Sequence, residues 1–196
     1  MLVLSVARTD ARRLQVLSTP RTRLVLLPPE KADMMAQFYQ RNRAHLSPWE
    51  PIRPAAFYRE DYWHSALQEA NDLFQQQQAF KFVILHHERD DVIGVCNFTN
   101  VIHGAFKACL LGYAADKHYQ GQGYMHEAIQ AGIRFVFDQV GLHRVMANYI
   151  PDNTRSERLL TKLGFEREGY ARRYLKINGR WQDHVLTAKL NPAMEE

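Results

Sequence analysis

The sequence is poor in cysteine and has no long apolar run. It contains two cysteines, Cys96 and Cys109, each among the apolar residues of a strand-like segment. Two core thiols exclude a disulfide-stapled secreted domain and favour a reducing compartment. The apolar start, Met1 to Ser5, is followed at once by arginines, and no run reaches the roughly 18 residues of a membrane span. We therefore expect a cytoplasmic protein with no membrane segment.

Strong charge of one sign is also absent. Lysine and arginine total 25 against 21 aspartates and glutamates, which leaves a net charge of +4. A surplus this small does not define a nucleic-acid binder, although it favours work near acidic surroundings such as RNA. With 196 residues, 46% hydrophobic and 23% charged, the chain has the composition of one soluble domain. We expect an N-terminal arm over residues 1–20, a single domain over 21–190 and a tail over 191–196.

The motifs of two nucleotide-binding classes and of metal sites are missing. The chain has no Gly-Lys-Ser/Thr sequence of a P-loop, and His126 stands where a dinucleotide fingerprint needs its third glycine. His86 and His87 lie in a charged turn with no third ligand at a suitable spacing. We therefore expect no bound metal and neither of these nucleotide classes.

What the chain does contain is an apolar strand that ends in a glycine loop and opens into a helix, between Tyr113 and Met125. Gly121 and Gly123 allow a tight turn and let backbone N–H groups approach a ligand. The helix that begins at Tyr124 presents the partial positive charge of its N-terminus to the same place. The pattern predicts a cradle for a phosphate group.

The remaining periodicities predict a mixed α/β fold. Helical spacing over residues 34–42, from 61 to a polar end at 75–78, over 124–140 and over 154–163 alternates with strand-like runs. The predicted strands are 23–27, 80–85, 92–98, 108–114, 144–150, 166–177 and 180–190, and Asn178-Gly179 joins the last two as a hairpin. We expect a mostly antiparallel twisted sheet flanked by helices.

A proline-rich segment, Asn42 to Pro51, interrupts this pattern. Its two prolines predict that no regular element crosses it and that Trp49 is held between them. Two interpretations remain open for Trp49, which forms either a lid over the core or a wall of a substrate pocket.

A second motif follows the glycine loop by about thirty residues. It reads Asn153-x-x-Ser156-x-x-Leu159-Leu160-x-Lys162-Leu163-Gly164-Phe165. Together the two segments resemble the GNAT acetyltransferases, whose loop motif, Gln/Arg-x-x-Gly-x-Gly/Ala, is matched except that His118 stands first. The resemblance implies the GNAT acyl-CoA N-acyltransferase fold and acetyl-CoA as cosubstrate.

The resemblance also implies how acetyl-CoA is held. The glycine loop and the start of its helix would bind the pyrophosphate, and the preceding strand would offer an N–H to the thioester carbonyl. Asn153 suits an N-cap and, by resemblance, faces the pantetheine arm. The residues expected to bind the coenzyme are Leu111, Gly112, Tyr113, Gln120, Gly121, Gln122, Gly123, Tyr124, Met125, Asn153 and Ser156.

Further segments are similar to the RimJ-type ribosomal-protein alanine N-acetyltransferases within this family. They cover 42–51, 96–101, 146–149 and 180–187. This likeness implies transfer to the N-terminal alanine of a small-subunit ribosomal protein, with Trp49, Glu50 and Asn97 at the substrate. Other amine acceptors, such as a polyamine or an aminoglycoside, remain open, as does a ribosome-assembly factor with this fold. Residues 141–180 hold nine basic and four acidic side chains, net +5, which suits a partner beside rRNA phosphates.

Direct transfer needs a proton acceptor for the amine and a donor for the leaving thiolate. The family's tyrosine donor corresponds to Leu160, so we predict that Ser156, one helical turn earlier on the same face, supplies the hydroxyl. Glu168 is the predicted base, and Glu50 in the proline segment is its rival. A modest base suffices, because an α-amino group has a pKa of about 7.7–8.0.

Overall fold

The computed structural model describes residues 16–194. Most of the predicted arm therefore lies outside the described residues, as does the end of the predicted tail. The elements in chain order are β1 (Val16–Ser18), β2 (Thr22–Val25), α1 (Ala32–Leu46), α2 (Glu60–Gln75), β3 (Phe80–His86), β4 (Val92–Ile102), β5 (Ala108–Ala115), α3 (Tyr124–Asp138), β6 (Arg144–Tyr149), α4 (Thr154–Lys162), β7 (Glu166–Ile177) and β8 (Arg180–Leu190).

Eight strands form one sheet in the order β1-β2-β3-β4-β5-β6-β8-β7. Every neighbouring pair is antiparallel except β5 and β6, which are parallel and are joined by α3. The predicted mixed α/β fold with a mostly antiparallel sheet is confirmed. The sole parallel pair within residues 16–194 follows from the strand–loop–helix–strand order around the glycine loop, because a parallel connection needs a crossover.

Each face of the sheet carries its own apolar core. Ile129, Ile133 and Val136 of α3 and Leu160 of α4 pack on one face. On the other face α1 and α2 bury a second set, Met35, Phe38, Tyr39 and Leu67. Burial of each large apolar side chain contributes roughly 1.5–3 kcal/mol. The sheet is thus fixed from both sides.

Helix α3 lies close against the sheet because of one glycine. A Cβ added at Gly132 would come within 2.7 Å of the Phe98 ring on β4. Any side chain at this position would push α3 outward. The contact holds the N-terminus of α3 at the end of β5, where the glycine loop is.

The last two strands match the predicted hairpin. Strands β7 and β8 have the predicted bounds, and Asn178 and Gly179 between them both have positive φ, 44° and 78°. Two left-handed residues are what a tight hairpin turn requires.

The proline segment differs from the prediction. Helix α1 continues to Leu46, and Ser47–Trp49 form a short 3-10 helix, so the expectation of no regular element from Asn42 to Pro51 is wrong. Pro48 lies in the first turn of that 3-10 helix, where a missing N–H costs no internal hydrogen bond. Trp49 is 39% exposed, which contradicts the interpretation of a lid over the core.

No helix in the described part of the chain is both long and apolar enough to span a bilayer.

Candidate active site

The sheet opens between its two parallel strands. Strands β5 and β6 pair only from Ala108 to Leu110 and from Arg144 to Met146. Beyond these residues β5 continues to Ala115 and β6 to Tyr149, with no ladder between them. The facing N–H and C=O groups of the two segments are therefore free to bind a ligand. We call this gap the β5–β6 opening, and it contains Leu111, Gly112 and Tyr113 of the predicted site.

The glycine loop, Gln120 to Gly123, follows β5 after Asp116 and a short 3-10 helix, Lys117–Tyr119. Gly121 and Gly123 have φ values of 72° and 84°, and Gly123 is the N-cap of α3. These left-handed conformations strain any residue with a Cβ. A Cβ built on Gly121 would meet nothing within 4 Å, so the loop presents an open backbone surface. With the first N–H groups of α3 behind it, the loop fits the predicted phosphate cradle.

A buried carboxylate fixes this loop to α1. Asp116 is 1% exposed, and its Oδ2 accepts from Arg41 Nε at 2.7 Å and from Asn42 Nδ2 at 2.8 Å. Its Oδ1 accepts from the backbone N of His118 at 2.9 Å, and Asn42 Oδ1 accepts from Lys117 N at 3.0 Å. Burial acts to raise the pKa of Asp116, but these hydrogen bonds outweigh burial and lower it. The ionised carboxylate holds the approach to the loop.

A second set of contacts fixes the other side of the loop. Arg21 donates to Glu127 Oε2 at 2.8 Å and to the Gln122 carbonyl at 3.0 Å. Its guanidinium also lies 4.6 Å from the centre of the Tyr124 ring. Gln122 and Tyr124 are thereby held in place from β2's side of the sheet.

The N-terminus of α4 faces the opening from the far side. Asn153 Oδ1 accepts from Ser156 N at 3.2 Å, which confirms the predicted N-cap. Arg155 Nη1 donates to Gln120 Oε1 at 2.8 Å, and Gln120 Nε2 lies 2.7 Å from His45 Nε2. Burial, followed by the nearby Arg155 charge, lowers the pKa of His45. These contacts join α1, the glycine loop and α4 around one cleft.

The two predicted catalytic residues are not brought together. Ser156 lies on α4 beside the opening, whereas Glu168 lies at a bulge of the edge strand β7. Glu168 is half-exposed and pairs with Arg144 Nη1 at 2.5 Å. Arg144 begins β6, at the end where β5 and β6 are still paired. The carboxylate is therefore directed away from the open end.

The rival carboxylate, Glu50, occupies a more enclosed place. Its Oε2 pairs with Arg53 Nε at 3.2 Å, and its carbonyl accepts from Asn178 N at 2.8 Å. Burial raises the pKa of Glu50, and the Arg53 charge and hydrogen bond oppose that shift. The proline segment and the β7–β8 turn thus meet around a cavity of about 120 Å³, lined also by Tyr39, Arg43 and Tyr58.

Asn97 lies beside the opening on the α1 and α2 face. It pairs across the sheet with Gly112 of β5. Its neighbour Val95 belongs to the α1 and α2 core, and residues two apart on a strand share a face. Asn97 and Glu50 are therefore on the same side of the sheet, opposite to Ser156. Trp49 lies next to Glu50 but is not among the residues lining the 120 Å³ cavity.

Two features of this site have no signal in the sequence. The Asp116 network joins residues 75 positions apart, so neither periodicity nor motif spacing indicates it. The side chain of Tyr113 is the second, because the motif around the loop involves only the backbone of this strand. Within residues 16–194, no three His, Cys, Asp or Glu side chains are grouped as a metal site would need.

The gap between the parallel strands, the glycine loop at a helix N-terminus and the capped helix beside them agree with the acyl-CoA-dependent transferases that the two sequence motifs resemble. The family described as Acetyltransferase (GNAT) domain matches residues 23–166, and the chain belongs to this family. The predicted resemblance is thereby confirmed.

Individual members of the family are similar to this chain over most of its length. Ribosomal protein uS5-alanine N-acetyltransferase of Escherichia coli (strain K12) is 44% identical over 176 residues, covering 90% of this chain and 91% of that protein. The crystal structure of ribosomal-protein-S5-alanine acetyltransferase from Vibrio fischeri has a TM-score of 0.88 at 37% identity, covering 93% and 100%. RimJ of Mycobacterium smegmatis, in complex with CoA-disulfide, has a TM-score of 0.84 at 27% identity, covering 93% and 89%.

Proposed function

We propose that this acetyltransferase moves the acetyl group of acetyl-CoA to the N-terminal α-amino group of an alanine-initiated small-subunit ribosomal protein of the uS5 type. The observation that carries the proposal is the 44% identity to the E. coli uS5-alanine enzyme over nine-tenths of both chains. Because such an acceptor is made and assembled in the cytoplasm, we propose that the enzyme acts there too.

Acetyl-CoA supplies an activated acetyl thioester. The backbone N–H groups from Gln120 to Met125 would hold its pyrophosphate, because Gly121 leaves open space beside the loop and the first N–H groups of α3 have no partner within the helix. The unpaired edge at Leu111 to Tyr113 would donate to the thioester carbonyl, where charge develops during transfer. Asn153, at the cap of α4, would face the pantetheine arm.

The acceptor would approach from the α1 and α2 face, past Glu50, Trp49 and Asn97. Glu50 is better suited than Glu168 to take the amine proton. Burial raises the pKa of Glu50, which makes it a stronger base than an ordinary glutamate, and the proline segment encloses it. Glu168 is bound to Arg144 at the closed end of the strand pair. The transfer proposed for these residues uses no metal, so we expect activity to survive exhaustive EDTA treatment.

The surface around α4 and β7 suits an acceptor close to ribosomal RNA. Eight basic side chains here are exposed, and none of them forms an ion pair within residues 16–194. They are Arg155, Arg158, Lys162, Arg167, Arg172, Arg173, Lys176 and Arg180. Unpaired basic groups favour phosphate and would repel a polyamine. This is the specific reason to favour a ribosomal acceptor over a small polycation.

A competition between acceptors tests the proposal. An alanine-initiated peptide, the same peptide with its α-amino group already acetylated, and spermidine would each be offered with acetyl-CoA. We expect kcat/KM for the free peptide to exceed that for the other two by ~100-fold. The blocked peptide offers no free α-amino group, and spermidine offers amines without a peptide N-terminus. Equal turnover of spermidine, or acetylation of lysine in the blocked peptide, would contradict the proposal.

A further inference from the structure

The hydroxyl of Tyr113 is buried and makes no hydrogen bond to any described residue. Tyr113 lies on β5, three residues past the last one that pairs with β6. In folded proteins about nine in ten buried polar groups have a partner, because an unpaired group loses its bonds to water. Within residues 16–194, only the Arg23 Nε shares this condition among side-chain nitrogen and oxygen atoms. A buried donor at the edge of a binding cleft points to a partner that arrives with the substrate.

The surroundings place this hydroxyl on the α3 and α4 side of the β5–β6 opening. Tyr113 lies on the same face of β5 as Cys109 and Leu111, because residues two apart on a strand share a face. Both of these residues belong to the core under α3 and α4. Its strand partner on β4 is Cys96, whose thiol is also buried. The polar groups facing it are the Ser156 hydroxyl from α4 and the Tyr149 phenol from β6. Residues on both sides of the opening thus surround the Tyr113 hydroxyl.

The same region lacks the phenol that the family places on α4. Leu160 occupies that position and is 2% exposed within the core. Burial raises the pKa of Tyr113 to about 12. A phenol with a raised pKa stays protonated at neutral pH, so it donates a hydrogen bond and adds no negative charge. Both properties suit a group that meets a developing anion.

We propose that the Tyr113 hydroxyl is a catalytic residue that donates a hydrogen bond to the coenzyme sulfur as the thiolate departs. This rests on the proposed acetyl transfer in the β5–β6 opening. The amine nitrogen forms the new C–N bond, the C–S bond breaks, and its electron pair stays on sulfur. The thiolate then takes one proton from solvent, which balances the proton that the amine releases. Ser156, which faces the phenol from α4, is a positioning residue that restricts where the phenol can turn.

Titration of bound CoA tests this without any acceptor. The ultraviolet absorbance of the thiolate would be followed against pH in the complex of CoA with the wild type and with Tyr113→Phe. We expect the bound thiol to ionise at lower pH in the wild type than in Tyr113→Phe, by about one pKa unit, which is tenfold in the ionisation constant. The affinity for CoA below the thiol pKa should stay within about twofold, because the ring is retained.

Kinetics supply the second readout. Tyr113→Phe should lower kcat by ~10–100-fold with KM for acetyl-CoA nearly unchanged, since the contact forms only as charge develops. Tyr62→Phe, which removes an exposed hydroxyl on α2, is the matched control and should keep full activity. Tyr113→Phe should fold at least as stably as the wild type, because it removes an unpaired buried group. With Ser156→Ala the loss should be less than additive, as for groups that act as one unit.

Equal thiol pKa values in the two complexes, or an unchanged kcat in Tyr113→Phe, would overturn the assignment. The CoA titration needs no acceptor peptide. A wrong acceptor would therefore abolish turnover in every variant while leaving the difference in thiol pKa intact, so the two failures can be told apart.

Discussion

The proposed coenzyme side of the cleft is built from backbone geometry and buried contacts, whereas the proposed acceptor side is built from side chains near the surface. On the coenzyme side, Asp116 is buried and accepts three hydrogen bonds, and the glycine loop follows it. On the acceptor side, Glu50 is held by one ion pair to Arg53 and by a contact with a hairpin turn. Few sequences can form a backbone cradle, so its motif can be recognised in the sequence. Many different sequences can form a surface of side chains, so no motif marks the acceptor side.

Removal of the buried charge under the glycine loop should have the largest effect. Asp116→Asn replaces one accepting oxygen with an NH2 donor. Whichever way the amide turns, that donor faces either Arg41 and Asn42 or the His118 N–H, and we expect a loss of about 2–4 kcal/mol in the free energy of unfolding. Acetyl-CoA affinity should fall with it. Denaturant unfolding would measure the loss, and Asp90→Asn is the control. Asp90 forms an exposed ion pair with Arg23, so its loss should stay below about 1 kcal/mol.

The same carboxylate predicts a direction with pH. The folded-state pKa of Asp116 lies below its ordinary value of 3.8, so its contribution to stability is complete above that value. It is lost as the pH falls through the folded-state pKa. Acid unfolding of Asp116→Asn should therefore depend less on pH below about 4 than that of the wild type. Parallel acid-unfolding profiles in the two proteins would contradict the ionised, paired state of Asp116.

The next largest effect should come from the glycine loop itself. Gly123→Val puts a branched side chain at a φ of 84° and over the backbone cradle. We expect acetyl-CoA to bind ~10–100-fold more weakly, which calorimetry would measure as about 1.4–2.8 kcal/mol. Gly104→Val is the matched control, because Gly104 has a similar φ of 75° and no atom near its Cβ, but lies in the turn between β4 and β5. Equal coenzyme affinity in the folded variants would refute the placement of the pyrophosphate.

A smaller effect is expected at the N-terminus of α4. Ser156→Ala keeps the N-cap, because Asn153 bonds to the backbone of residue 156. We expect kcat to fall about tenfold while coenzyme affinity stays the same, because the Tyr113 phenol loses the neighbouring side chain that positions it. Rapid-quench measurement of acetyl transfer separates chemistry from binding. Full activity in Ser156→Ala would remove Ser156 from the mechanism.

The acceptor side should show the smallest and most pH-dependent effect. If Glu50 takes the amine proton, Glu50→Gln should lose rate mainly below pH 8 and recover above it, where the free amine forms without help. Glu168→Gln removes only its pair with Arg144 and should change the rate little at any pH. Profiles of kcat/KM from pH 6 to pH 9 decide between them. A deficit confined to low pH in Glu168→Gln would restore Glu168 as the base.

Comparison of the two sides explains how far the sequence could be interpreted. The glycine loop, the Asn153 cap and the Asn178-Gly179 hairpin each depend on local backbone chemistry, and all three lie where their motifs predict. The proline segment was predicted less well, because Pro48 is accepted in the first turn of a 3-10 helix.

Contacts between distant residues had no signal in the sequence. In the sequence, Asp116 is a polar residue that follows a strand, as is common at strand ends. Only the fold brings it into contact with Arg41 and Asn42. Glu168 was predicted from its nearness in sequence to α4. The β7 bulge and the ion pair with Arg144 direct its carboxylate away from the β5–β6 opening. Neither feature can be predicted from the spacing of residues in the sequence.

The most direct test of the proposed function is intact mass spectrometry of small-subunit ribosomal proteins from cells with and without this protein. We expect that one alanine-initiated protein, of the uS5 type, loses the mass of a single acetyl group when the enzyme is absent. It should regain that mass with the wild type and to a smaller extent with Gly123→Val. An unchanged acetylation pattern across the small-subunit proteins would contradict the proposed function.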